Sequence, residues 1–147
     1  MSHSARNFEY ELARVLLVDD DPASRLTLQT VLEAGGYNVD SAASAAEAVD
    51  KLDEGSYALV LSDLQMESPH AGLKVLAHAR MMDYKPATAL ITTYQNSKPN
   101  PAQRRRSLLI SPEDLPELLG KVADLIAERA TRRLERQLRM ANAYATS

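Results

Sequence analysis

The chain has no cysteine. That absence excludes disulfides, thiolate catalysis and cysteine-based zinc sites. It also lacks any apolar stretch near the ~20 residues of a membrane span. Met1–Tyr10 is polar and has no apolar h-region, so no signal peptide is expected there, and a cytoplasmic location is the default expectation. A strong charge of either sign is missing too. The formal net charge of −3 gives no field that would gather nucleic acid. What remains is ordinary globular composition, 45% hydrophobic and 25% charged over 147 residues, enough for about one domain with a real core.

Against that background two short apolar runs stand out. Val15-Leu16-Leu17-Val18 stops at three carboxylates, Asp19, Asp20 and Asp21, and Tyr57-Ala58-Leu59-Val60-Leu61-Ser62 stops at Asp63. Runs that end on acids read as buried parallel strands with carboxylates at their C-terminal ends, the edge where open α/β sheets bind ligands. Carboxylates gathered there repel one another unless a hard divalent cation lies between them. The pattern therefore points to a Mg²⁺-assisted phosphoryl site.

The rest of the chain supplies the alternation such a sheet needs. Arg14–Val18 reads as the first strand. Asp21-Pro22 opens a helix by N-cap and first-turn preference, and Gly35-Gly36 closes it; its stripe reads as Ala23, Leu26, Thr30, Val31 and Leu32. Tyr37–Asp40 is a short second strand. Ser44 and Glu47 form a capping box for a second helix, which buries Ala48, Val49 and Leu52 and ends at Gly55. Tyr57–Ser62 is the third strand. Gly72–Met82 is the third helix, through Leu73, Val75, Leu76 and Ala79. Ala87–Thr92 and Leu108–Ile110 are the fourth and fifth strands. From Pro112 onward the pattern is helical, with Leu115, Leu118, Leu119, Val122, Leu125 and Ile126 apolar. This predicts an α/β fold with a doubly wound five-stranded parallel sheet and a long C-terminal helix. The fourth crossover, within Tyr94–Arg106, holds Pro99, Asn100 and Pro101 and no apolar stripe, so its helix is expected to be short or irregular.

VLLVDDDPASR, LVLSDLQM, Gly72-Leu73 and ALITTY, in that order and at those separations, resemble the response regulator receiver domain of two-component signalling. The resemblance covers roughly 13–128 and implies a flavodoxin-like receiver fold. It leaves residues 1–12 as an N-terminal extension and 129–147 as an Arg-rich helical extension. It further implies that Asp63 accepts the phosphoryl group and that Thr92 bonds it after transfer. Mg²⁺ would be held by Asp19, Asp20, Asp63 and the backbone carbonyl of Gln65. The implied donor is a histidine kinase or phosphotransfer protein, and the signal would pass to a downstream protein partner, because no output domain is evident in the chain. The chemistry agrees: a carboxylate can attack phosphorus, a metal neutralises the crowded oxygens, and a hydroxyl can donate to the transferred group.

The chain also departs from the family pattern. The usual Lys before Pro is Ser111 here, which removes a charge-assisted contact of about 1.5–3 kcal/mol; Lys98 and Arg104–Arg106 are nearby cations. Leu108 replaces the usual aromatic switch residue, Glu67 stands where Pro is usual, and Thr93 is bulkier than the Ala or Gly normally found. These departures motivate an alternative, a pseudo-receiver that acts as an interaction module without phosphorylation. A further reading is a haloacid dehalogenase-type phosphatase, because Asp19 and Asp21 mimic its D-x-D motif. Ala23 stands where that family has Thr or Val, which ranks this reading last.

Simpler roles account for other polar residues. Asp21 is read as a helix cap, Ser111 as a turn residue, and His70 and His78 as surface residues without metal-ligand spacing. Arg129, Arg132, Arg133, Arg136 and Arg139 suit a solvated helix end. The sharper reading of that end is a partner-binding or homodimerising extension through Leu134 and Leu138 with Ala130 and Ala141. Glu128 and Glu135 interrupt the basic patch and argue against nucleic acid.

Overall fold

The computed structural model of the protein describes residues 13–64, 66–68, 70–91 and 115–145. Its elements run β1 (Arg14–Val18), α1 (Pro22–Ala34), β2 (Asn38–Ala42), α2 (Ala45–Glu54), β3 (Leu59–Asp63), α3 (Ala71–Arg80), β4 (Ala87–Ile91) and α4 (Leu115–Ala145). The strands pair in parallel in the order β2-β1-β3-β4. This is the doubly wound α/β architecture expected from the alternation. The expected fifth strand at Leu108–Ile110 and the irregular crossover at Tyr94–Arg106 lie outside the described residues, as do residues 1–12.

Local chemistry sets the element boundaries. The Asp21 carboxylate accepts from the Ser24 N–H at 3.1 Å, and Pro22 opens α1, as the sequence predicts. Gly36 turns the chain out of α1 at φ +99°, a conformation that favours glycine. Ser44 caps α2 by accepting from the Glu47 N–H at 3.1 Å, while the Glu47 carboxylate reaches back to the Ala43 N–H at 2.9 Å.

Several boundaries shift from the sequence reading: α3 runs Ala71–Arg80 where Gly72–Met82 is expected, and two strands move. β2 runs Asn38–Ala42, because all five residues pair with β1, and Tyr37 falls outside it. β3 begins at Leu59 and ends on Asp63, so the acid belongs to the strand itself. Of the stripe expected in α1, Leu32 is buried and Val31 half-buried, while the first three members are out of phase. Leu28 and Leu32 are its buried residues, while Leu26 is 67% exposed and Ala23 and Thr30 face solvent. Leu26–Thr30 and Leu28–Leu32 are both i,i+4 pairs, so spacing alone does not choose between them.

The sheet is covered on both faces, which explains why Val15–Val18 of β1 and Leu59–Leu61 of β3 are continuously apolar. Side chains alternate across each strand. Val15, Leu17, Leu59, Leu61, Ala89 and Ile91 pack with Leu28 and Leu32 of α1 and with Leu118 and Val122 of α4. Leu16, Val18, Val60 and Leu90 pack with Ala48 and Leu52 of α2 and with Val75, Leu76 and Ala79 of α3. α4 is one continuous helix across residue 128. Arg129 is buried, donating from Nε to the Lys85 carbonyl at 3.0 Å and from Nη2 to the Tyr84 carbonyl at 2.7 Å. Lys85 holds a positive φ of 45°, and this clamp secures its turn. No helix among the described residues is long and apolar enough to cross a membrane.

A polar knot closes the opposite end of the sheet from the acids. Asp40 Oδ2 accepts from Arg14 Nη2 at 2.6 Å and from the Tyr57 hydroxyl at 2.8 Å, and the Arg14 guanidinium lies 4.9 Å from the Tyr57 ring centroid. Burial would raise the Asp40 carboxyl, but the hydrogen bonds from Tyr57 and Arg14 and the charges of Arg14 and Lys51 outweigh it and hold the group below its usual range. A depressed folded-state pKa gives stability that is present above the unfolded value near ~3.9 and is lost as pH falls through the folded value. The stability lead of the parent over Asp40→Asn, from urea midpoints, is therefore expected to stay level from neutral pH down to about 5 and to shrink below ~4.

Candidate functional site

The parallel register of β1 and β3 builds the site. Val18 pairs with Ser62, so the next residues, Asp19 and Asp63, emerge side by side at the C-terminal edge. One oxygen each of Asp19, Asp20 and Asp63 can be drawn from a set lying within 4.8 Å of one another. Asp19 and Asp63 are buried, at 0% and 2% exposure, whereas Asp20 faces solvent. The structure thus brings together three of the residues singled out by sequence. Gln65 and Thr92, the other two, lie outside the described residues, and so do Ser111, Lys98 and Arg104–Arg106.

The surroundings hold Asp19 firmly without completing its coordination. Its Oδ1 accepts from the Asp21 N–H at 3.0 Å, and its backbone carbonyl accepts from Arg25 Nη1 at 2.8 Å. Its Oδ2 is buried with no hydrogen-bond partner among the described residues, which is costly for a polar atom. Burial pushes the Asp19 carboxyl above its usual range. The Asp21 N–H and the Asp63 side chain pull it down, and the charges of Asp21 and Asp20 push it up again. A hard divalent cation suits this donor set: it would supply a partner for Oδ2 and would offset the repulsion among the three acids.

Asp21 takes no part in the cluster. Its carboxylate caps α1 by accepting from the Ser24 N–H, and hydrogen bonding by the Ser24 side chain and N–H holds it below the usual carboxylate range. The cap reading is confirmed, and the D-x-D reading loses its second acid. His70 is exposed as expected. His78 is not a simple surface residue: its Nε2 lies 2.7 Å from Asp53 Oδ1 and ties α3 to α2.

Sequence reasoning missed two supports of the site. The first is Gly72. A Cβ added there would stand 2.6 Å from the Asp63 carbonyl, so glycine alone lets the first turn of α3 lie against the end of β3. The second is Glu67, whose Oε1 accepts from the Ala45 N–H at 2.8 Å and so anchors the segment after Asp63 to the first turn of α2. Glycine at a helix start gives a weak signal, and a contact across 22 residues gives none.

A parallel α/β sheet with a trio of carboxylates at the β1 and β3 ends defines a class, the receiver-type signalling domain. The family model of the response regulator receiver domain matches residues 15–104, and the chain belongs to that family. Among curated relatives it is similar to the response regulator receiver protein CpdR of Brucella abortus, at 28% identity, covering 78% of this chain and 98% of that one. Among solved structures it is similar to the response regulator protein TrrA of Thermotoga maritima in complex with Mg²⁺ and BeF. That likeness has a TM-score of 0.65 and 29% identity, and covers 76% of this chain and 97% of that one. A CheY-like receiver domain protein of Methanospirillum hungatei shares the fold, with a TM-score of 0.69 at 24% identity, covering 81% and 97%. Of three further curated relatives the matched region covers 12%, 54% and 34%, so the chain spans about half of their length or less.

Three outcomes are expected from this geometry, the first two read by one measurement. Mg²⁺ raises the thermal midpoint of the parent protein in a concentration-dependent way. Asp19→Asn is more stable than the parent without metal, because it relieves the crowding, and loses most of the Mg²⁺ response. Differential scanning calorimetry with and without Mg²⁺ checks both. Gly72→Ala lowers the midpoint and weakens the Mg²⁺ response together, since it displaces α3 from the Asp63 carbonyl; equal behaviour to the parent would contradict the close approach.

Proposed function

We propose that this receiver accepts a phosphoryl group on Asp63 from a histidine kinase or a phosphotransfer protein and passes the signal to a downstream protein partner in the cytoplasm. The orphaned Asp19 oxygen inside a trio of acids is the observation that carries the reading. The Mg²⁺ and BeF bound by TrrA, a relative at 29% identity, support it.

In this reading Asp19, Asp20, Asp63 and the Gln65 carbonyl hold Mg²⁺. The ion supplies neutralisation of phosphoryl oxygens in the transition state. Asp63 is the nucleophile. Its carboxylate oxygen bonds to phosphorus as the phosphorus–nitrogen bond of a phosphohistidine donor breaks, and the electron pair leaves with the imidazole nitrogen. Burial of Asp63 keeps bulk water from the nucleophile, while exposed Asp20 leaves an approach from solvent. Thr92 follows β4 directly, and its hydroxyl is the group that bonds the transferred phosphoryl and carries the change to the output surface. The role is signalling, with the protein itself as the phosphorylated species, and not turnover of a released substrate.

Incubation with acetyl phosphate and Mg²⁺ tests this directly. Intact mass spectrometry is expected to show the gain of one phosphoryl group, absent in Asp63→Asn and absent when Mg²⁺ is chelated. A full-length protein that takes up Mg²⁺ and yet gains no mass, and that gives no response to beryllofluoride, would falsify phospho-acceptance and leave the interaction module. Turnover of phosphomonoesters abolished by Asp19→Asn but kept in Asp63→Asn would point to the phosphatase chemistry instead.

A further inference from the structure

A run of arginines on α4 takes no part in the phosphoryl site. Arg129, Arg132, Arg133, Arg136 and Arg139 lie close together on this helix, in a chain whose formal net charge is −3. Arg129 is already spent on the Tyr84 and Lys85 carbonyls. The other four are exposed, and among the described residues none of them has an ion pair or a hydrogen bond. Glu128 and Glu135 share the helix and pair with none of them there. Burial first, and then the like charges of Arg133, Arg136 and Arg132, hold the Arg129 guanidinium below its usual range. The cluster is thus a concentration of unspent positive charge.

Two of these arginines line a cleft. Arg129, Arg133, Arg136 and Met140 are four, three and four residues apart and so share one side of α4. That side turns toward the segment between α3 and β4. Arg133, Arg136, Gln137 and Met140 form one wall, and Asp83 and Tyr84 form the other, around a cleft of about 240 Å³. The volume is smaller than the roughly 300–1,000 Å³ that a whole small-molecule ligand takes. It holds one or two side chains of something larger. The Tyr84 wall is fixed before anything binds, because its hydroxyl donates to the Leu52 carbonyl at 2.8 Å and its own carbonyl accepts from Arg129. Asp83 faces the guanidiniums with no ion pair among the described residues, so neither arginine is neutralised from across the cleft.

Charge and shape choose the occupant. A guanidinium fork pairs best with a planar or tetrahedral oxyanion, a carboxylate or a phosphate. Tyr84 and Met140 add apolar surface, which an apolar side chain uses and a free phosphate does not. α4 begins at Leu115, several turns away, so no helix N-terminus offers its N–H groups to a phosphate here. A nucleic-acid duplex or a membrane is too broad to enter a cleft walled on both sides, and Asp83, Glu128 and Glu135 repel a polyanion. What fits is a peptide with carboxylates beside an apolar residue. We propose that the cleft between α4 and the Asp83–Tyr84 turn docks an acidic segment of a protein partner, with carboxylates on Arg133 and Arg136 and an apolar side chain on Tyr84 and Met140. The turn precedes β4, so the cleft lies at the opposite edge of the parallel sheet from Asp19, Asp20 and Asp63. This surface serves the downstream partner of the proposed function and rests on that reading for its role in signalling. Docking itself needs neither Mg²⁺ nor a phosphoryl group.

The probe is a fluorescein-labelled synthetic peptide with glutamates on both sides of a leucine, beside a counterpart with glutamine for glutamate. Fluorescence anisotropy with the full, unphosphorylated chain and no Mg²⁺ is expected to show saturable binding of the first peptide alone, weakening as salt rises. The double variant Arg133→Gln/Arg136→Gln, with far-UV circular dichroism to confirm the fold, is expected to weaken binding by on the order of tenfold. Asp83→Asn is expected to tighten it, because it removes the one acid in the cleft. Leu134→Gln, off the cleft, is expected to bind like the parent. In a nitrogen-15 amide titration the shifts are expected to gather at 83–85 and 133–140. Equal binding of the two peptides, an unchanged affinity in the double variant, or shifts gathered elsewhere overturns the proposal. A DNA oligonucleotide or a phosphatidylglycerol vesicle that binds where the peptide does not overturns it too. Loss of docking leaves phospho-acceptance on Asp63 standing, and a chain that never gains phosphoryl mass can still dock the peptide, so the two readings fail separately.

Discussion

Parallel pairing of β1 with β3 is the constraint on which the site depends. The register that sets Val18 against Ser62 leaves Asp19 and Asp63 no choice but to emerge together at the same edge. Both are buried there, close to Asp20, with one Asp19 oxygen lacking a donor among the described residues. A sheet would not hold such a cluster unaided. It is held because β1 and β3 are central strands with apolar layers on both faces, and those layers bury enough surface to carry an unfavourable group of acids.

The neighbouring elements refine that cluster and leave its charge in place. Arg25 spends its donor on the Asp19 carbonyl and not on a carboxylate, which steadies the backbone while preserving the negative field. Asp21 lends its N–H to Asp19 and its side chain to the start of α1. Gly72 lets α3 press against the Asp63 carbonyl, and Glu67 ties the following segment to α2. The surroundings of Asp63 are therefore braced by two helices at once, α3 and α2.

α4 differs sharply between its two faces. Its inward face completes the core through Leu118 and Val122 and ends in the Arg129 clamp on the Tyr84–Lys85 turn. Its outward face carries the exposed Leu134 and Leu138. Arg129 belongs to the Arg-rich run, yet it is buried and bonded to two carbonyls while its neighbours are solvated. The guanidinium can do this because it is planar and rich in donors.

Much of this was legible in the residues. Apolar runs ending on Asp19 and Asp63, the Asp21-Pro22 and Ser44–Glu47 caps, and Gly36 are local signals, and local backbone chemistry decides them whatever the rest of the chain does. Two other features were not legible. The phase of α1, which buries Leu28 and exposes Leu26, depends on which side of the helix meets the sheet. The Glu67–Ala45 tether, the His78–Asp53 pair and the Arg129 clamp join residues 22 to 45 positions apart. By itself the sequence determined the order of elements, their caps and the identity of the acids, because hydrophobic period and side-chain chemistry act over a few residues. Only the tertiary structure decided that three acids share one edge with an unpaired buried oxygen, and which helix faces are covered, because register and packing are settled between elements distant along the chain.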